Sequence, residues 1–264
     1  MARETGVWLY AITPEFDASR LPAVNGVGGA AVRVVEAEGL SAVVASVDLA
    51  EFGEEPLRRN FEDPTWLEAT ARAHDGVIDA VSRLGPTVPV RLATVYHDDD
   101  RVRALLEDRY DDFWAALRFV TGRTEWGVKV YADPRAFAES AWSTEASAEG
   151  GGSGPGTTYL HLRRAQLSAQ QAAEDTVAAH AKDIHAALDR IAVTARLYAP
   201  QHPALPEEPG RMILNGAYLV DDGCTDEFAS RVDSLAAEHR GVKLELTGPW
   251  PAYSFAGAEE EARP

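Results

Sequence analysis

The run Gly150-Gly151-Gly152-Ser153-Gly154-Pro155-Gly156 most limits how this chain can fold. Such a stretch buries almost no apolar area to offset the entropy lost on ordering it. A single core therefore cannot be threaded through it. Composition turns to Ser, Ala, Glu and Gly from Asp133 onward, which reads as a linker over residues 134–157. The expected organisation is an N-terminal domain over residues 1–133 and a C-terminal domain over residues 158–264. A chain of 264 residues accommodates two domains at the usual size of about 100–200 residues each. Glycine-rich Gly150–Gly156 should lie exposed or poorly ordered.

Breakers and periodicity predict the elements on either side. Gly6–Ile12, carrying Val7, Trp8, Leu9, Tyr10 and Ile12 before Pro14, predicts a strand. Val32–Glu36 and Leu40–Val47 flank Glu38-Gly39 and predict a hairpin. Asp63-Pro64 offers a cap and a first-turn proline for a helix with Leu67, His74, Val77, Val81 and Leu84 on one stripe. Val88–Tyr96 predicts one further strand. Asp98-Asp99-Asp100 opens a helix running to Gly122, and Glu125–Tyr131 predicts a strand closing the first domain. Beyond the linker come a long helix with Ser168 and Gln171 placed as a capping box, a strand at Arg196–Ala199 and a loop at Pro200–Pro209. Strand Met212–Val220, helix Thr225–Arg240 and strand Val242–Thr247 follow. Antiparallel strands with segregated helices make the expected class α+β.

The chemistry open to the chain is narrower than its size. Hydrophobic residues make up 45% and charged residues 25%, ordinary for a folded protein. Forty-two acids against 25 bases give a formal net charge of −17. That balance argues against nucleic acid, whose binding relies on Lys and Arg neutralising phosphates. It argues equally against an anionic membrane surface, and no apolar run is long enough for a membrane span. Cys224 is the single cysteine, so no intrachain disulfide can form and a reducing cytoplasm is the expected home.

Catalytic or metal-binding patterns are weak. Asn25-Gly26-Val27-Gly28-Gly29 is a fragment of a phosphate-binding glycine pattern, but it does not join a strand directly to a helix. His97 beside Asp98, Asp99 and Asp100 is the best metal candidate, yet three acids opening a helix are explained by capping and the helix dipole. His180 and His185, five apart, do not share a helix face. His74 sits in an apolar stripe as a core histidine would. The expectation is no catalytic residue, no metal and no cofactor.

The closing segment Thr247-Gly248-Pro249-Trp250-Pro251-Ala252-Tyr253-Ser254-Phe255 is the most distinctive. Prolines on both sides of Trp250 hold the backbone extended, and Tyr253 and Phe255 share one side if a strand resumes. Two readings stand: an aromatic lid over the second domain's core, which we favour with part of one ring exposed, or an anchor for an apolar partner formed by Trp250, Tyr253 and Phe255.

This segment resembles the Gly-Pro-Trp-Pro-Pro-Tyr-Ser-Phe ending of the gas vesicle F/L (GvpL/GvpF) family, with Ala252 in place of the second proline. Trp8-Leu9-Tyr10-Ala11-Ile12 resembles the family's first strand. Val88-Pro89-Val90-Arg91-Leu92-Ala93-Thr94-Val95 resembles its Pro-Leu-Arg-Phe-Gly-Thr-Val strand, and Glu125-Trp126-Gly127-Val128-Lys129-Val130 its Glu-Trp-x-Val-Lys strand. Leu214-Asn215-Gly216-Ala217-Tyr218-Leu219-Val220 resembles the strand before its last helix. The matches recur in order along both halves.

The resemblance implies two α+β domains, the C-terminal one like a modified ferredoxin fold. It also implies a non-enzymatic assembly factor and minor component of gas vesicles, located there and in the cytoplasm. The implied partners are the small hydrophobic shell protein, which it would accompany like a chaperone, and other gas vesicle proteins; no cofactor is implied. The alternatives are an enzyme or small-molecule-binding protein using an interdomain cleft, and a purely structural wall component.

Overall fold

A computed structural model describes residues 4–21, 23–133, 137, 155–200 and 210–256. The chain forms two compact units, Met1–Glu125 together with Pro249–Pro264, and Trp126–Gly248. The cut differs from the expected one at both ends of the second unit. Mixed helices and antiparallel sheet make the class α+β, as expected.

The first unit is built on strands β1 (Thr5–Pro14), β2 (Val32–Ala37), β3 (Leu40–Asp48), β4 (Val88–Pro89) and β5 (Val95–Tyr96). Their order is β2-β3-β1-β4, with β5 also on β1. Glu38 and Gly39 have φ of 52° and 73°, the left-handed pair that a two-residue hairpin turn requires. β1 is buried along nearly its whole length, so both faces of the sheet are covered. Trp8, Tyr10, Val43 and Ala45 face Val77, Ile78 and Val81 of helix α3 (Pro64–Ser82). The other face is covered by α4 (Asp99–Asp108) and α5 (Tyr110–Val120), which bury Val102, Leu106, Phe113 and Leu117. Short helices α1 (Leu49–Phe52) and α2 (Glu54–Asn60) follow β3.

Two local expectations are corrected here. Val88–Tyr96 is two short strands rather than one, because Ala93 takes φ 66° and turns the chain between them. The helix opened by Asp98 is divided at Arg109, whose φ and ψ of −113° and 24° leave the helical range.

The second unit is built from β6 (Arg123–Ala132), α6 (Pro155–Asp189), β7 (Thr194–Leu197), β8 (Arg211–Asp221), α7 (Thr225–Glu238) and β9 (Val242–Trp250), with β6 starting three residues before the unit's first residue and β9 ending two residues after its last. Its sheet runs β7-β8-β6-β9, a β-α-β-β-α-β arrangement. The Glu125–Tyr131 strand, expected to close the first domain, thus lies within the second sheet. Val128, Val130, Tyr218 and Val220 pack against Ile184 and Leu188 of α6 and Phe228, Val232 and Leu235 of α7.

Helix α6 begins at Pro155, inside the glycine run, and passes through Ser168, so the capping box at Ser168 and Gln171 does not form. Gln171 instead donates to Asp175 at 3.1 Å, one turn on. Strong helix formers on both sides of Ser168 carry the helix through it. Residues 134–136, 138–154 and 201–209 lie outside the described residues, and with them most of the expected linker and the Pro-rich loop.

Candidate partner-binding surface

The weak chemical motifs resolve into structural roles. In the glycine loop, the Val27 N–H donates to the Tyr10 phenol oxygen at 2.9 Å. A Cβ on Gly26 would stand 2.2 Å from that oxygen, so close approach explains the glycine without any phosphate. Burial pushes the Tyr10 phenol up to about 12, against the pull of the Val27 hydrogen bond.

His74 receives the Trp8 indole N–H on Nδ1 at 3.0 Å, and its Nε2 lies 3.0 Å from the Val90 carbonyl. A carbonyl only accepts, so Nε2 carries the proton and the ring is neutral. Burial holds its pKa below the usual histidine value, partly offset by Val90 and the charge of Asp75.

Around His97, Asp98 accepts from the Arg101 N–H at 2.8 Å as the cap of α4. Asp99 takes a two-pronged bond from Arg33 at 2.7 and 2.9 Å, and Asp100 accepts from Arg103 at 2.6 Å. Among the described residues, no three His, Cys, Asp or Glu side chains converge to hold a metal ion. His180 and His185 part company: His180 Nδ1 meets His239 Nδ1 at 2.7 Å, while His185 Nδ1 meets the Tyr218 hydroxyl at 3.1 Å.

The closing segment departs from its expected geometry. β9 runs on through Gly248, Pro249 and Trp250, and Tyr253–Ala256 then forms a single helical turn, α8. Hydrogen bonds from Phe255 and Ala256 N–H to the Ala252 carbonyl, at 3.2 and 2.9 Å, close it. No strand resumes, so Tyr253 and Phe255 do not share a side at period two.

Nor is the segment a lid over the second unit's core, because it belongs to the first unit. The Tyr253 hydroxyl donates to Asp75 on α3 at 2.8 Å. Ser254 gives its N–H to Glu125 Oε2 at 2.7 Å and its hydroxyl to Oε1 at 2.6 Å. Burial, then the Asp75 carboxylate, drive the Tyr253 phenol well above its ordinary pKa.

The buried members of the turn are Ala252 and Ala256, at 4% and 3% exposure. Trp250 is 51% and Tyr253 38% exposed, and Phe255 is half-buried. Polar clasps and two alanines hold the turn, which leaves the Trp250 ring outward at the end of a strand.

A family profile described as gas vesicle synthesis protein GvpL/GvpF matches residues 6–257. Gas vesicle protein L of a Streptomyces species is 42% identical over 255 residues, covering 96% of this chain and 94% of that one. Gas vesicle protein L1 of Halobacterium salinarum is 27% identical over 268 residues, covering 95% and 90%. Among solved structures, the gas vesicle protein GvpF from an Anabaena species superimposes with a TM-score of 0.66 at 17% identity, covering 97% of this chain and 98% of that one. GvpF from Microcystis aeruginosa gives a TM-score of 0.65. The last two establish a shared fold.

Proposed function

Because this chain belongs to the gas vesicle synthesis protein GvpL/GvpF family, we propose that it is a gas vesicle assembly factor and minor vesicle component that escorts the small hydrophobic shell protein. Its association with gas vesicles follows from the family itself. The observation that carries the finer reading is the exposed Trp250, with Tyr253 beside it, on a chain of net charge −17.

A wall that encloses gas needs subunits with one very apolar face, and such faces aggregate before assembly. An acidic partner repels its own copies and stays dispersed while presenting a few aromatic anchors. It can cover the apolar face transiently and release it to the growing wall, with no chemical step. The cytoplasm, where subunits are made, is where this would occur. Among the described residues, no helix is long and apolar enough to cross a membrane.

Co-expression with the short shell protein tests the proposal. The shell protein should copurify with this chain from the soluble fraction. A shell protein that partitions identically with and without the chain would overturn it.

A further inference from the structure

Helices α1 and α2 do more than connect β3 to α3. With the loop into β5 they form an open groove of about 620 Å3 in the first unit, walled by Leu49, Phe52, Leu57, Phe61, Ala93 and Val95. Phe61 stands at its lip, 39% exposed, and stacks edge-on against Trp66 at 6.0 Å between centroids. Of the polar side chains that line it, Glu54, Arg58 and His97 are exposed and Tyr96 is half-buried.

Three observations narrow the occupant. Small-molecule sites aim a few convergent polar groups at their ligand. Here the buried side-chain polar atoms without a partner, among the described residues, are Ser41 Oγ, Trp114 Nε1 and Trp126 Nε1, and none lines the groove. Recognition must therefore come from apolar side chains of another protein. An extended strand would need a sheet edge to pair with, and β5 is only two residues long. A helix needs only the apolar walls.

Charge supplies the third. Along Leu49–Asp63, Glu51, Glu54, Glu55, Glu62 and Asp63 stand against Arg58 and Arg59. Arg58 is already engaged by Glu54 and Glu55 at 3.4 and 3.3 Å. The flank of the groove is net negative.

We propose that this groove docks an amphipathic helix of a partner protein, apolar at positions i, i+3, i+4 and i+7, with Lys or Arg beside that stripe. The inference rests on the gas vesicle reading only for which protein carries the helix.

Synthetic peptides test the groove directly. A labelled helix with leucines in that stripe and lysines beside it is titrated with the full chain by fluorescence anisotropy. Two controls replace the lysines by glutamates or the leucines by serines. The lysine peptide should saturate, the glutamate peptide should bind about tenfold more weakly or worse, and the serine peptide should not bind. Added salt should narrow the first difference.

Phe61→Glu should weaken the lysine peptide by about tenfold or more, with the melting temperature close to the parent's because the ring is partly exposed. Phe61→Ala replaces it should the glutamate disturb folding. Equal binding of the lysine and glutamate peptides, undiminished binding by a folded Phe61 variant, or no saturation by the lysine peptide overturns the groove. Loss of shell-protein copurification with peptide binding intact overturns the escort role instead and leaves the groove standing.

Discussion

His74 shows how one buried side chain ties three elements together. It joins Trp8 on β1, its own helix α3 and Val90 beyond β4, with both ring nitrogens used. His74→Leu leaves the Trp8 indole N–H and the Val90 carbonyl without partners, at about 1–3 kcal/mol each. Urea unfolding should show the loss, and an unchanged midpoint would rule out the pairing. Because folding depresses the His74 pKa below 6.5, the unfolded chain binds the proton more readily. Its contribution is complete above pH about 6.5 and fades as pH falls from there towards the folded value. The His74→Leu variant should lose that part of the acid-side slope.

Ala93 is the opposite case, a residue its backbone does not suit. Its φ of 66° costs an L-residue about 1–2 kcal/mol, and the Pro-Leu-Arg-Phe-Gly-Thr-Val strand that this stretch resembles has glycine at this place. Ala93→Gly removes that strain but adds about 0.5–1 kcal/mol of unfolded-chain entropy. A net gain of about 0.5–1 kcal/mol is expected, read as a higher urea midpoint.

At the scale of elements, the closing turn is held from outside. The Glu125 carboxylate, 7% exposed, accepts both bonds from Ser254, and Asp75 holds Tyr253. Glu125→Ala should cost about 1.5–3 kcal/mol, the range for hydrogen bonds to a charged group, and make the chain after Pro249 more sensitive to protease. Equal cleavage in parent and variant would show that the clasp is idle. Trp250→Ala should behave differently. With half its surface in solvent, it should melt near the parent while weakening shell-protein binding by about 2 kcal/mol or more if the ring is the anchor. A variant that melts well below the parent would make the ring structural instead.

Contacts between α6 and α7 carry their own pH dependence. His180 meets His239 ring to ring, and burial followed by repulsion from His239 lowers its pKa, with Asp183 opposing. A charged His180 ring is disfavoured at that contact, so its contribution is complete above pH about 6.5 and fades on acidification.

Across the whole molecule, the last residues belong to the first unit although they follow the second in sequence. A chain ending at Gly248 should therefore loosen the first unit. Amide exchange should quicken in β4 and α5, which α8 contacts, and stay near the parent's in β8 and α7. Faster exchange confined to the second unit would contradict this assignment.

Local chemistry made much of the fold legible. The Glu38-Gly39 turn, the Asp63-Pro64 start of α3, the Asp98 cap and the stripe Phe228, Val232 and Leu235 each act through neighbours within a few residues. For the same reason His74, set within an apolar stripe, reads as a core residue from its neighbours alone. The sequence therefore determined the α+β class, most elements and, through motifs spread over both halves, the family.

Long-range contact decided the rest. Glu125 and Ser254 are 129 residues apart, and Asp75 and Tyr253 are 178 apart, so no local pattern could assign the closing turn to the first unit. Phe52, Leu57 and Phe61 lie where no clear periodicity marks an element, and they become a groove only when Ala93 and Val95 form the facing wall. Helix and turn signals arise between near neighbours, whereas surfaces and units arise from pairings whose energy exists only after the chain has closed on itself.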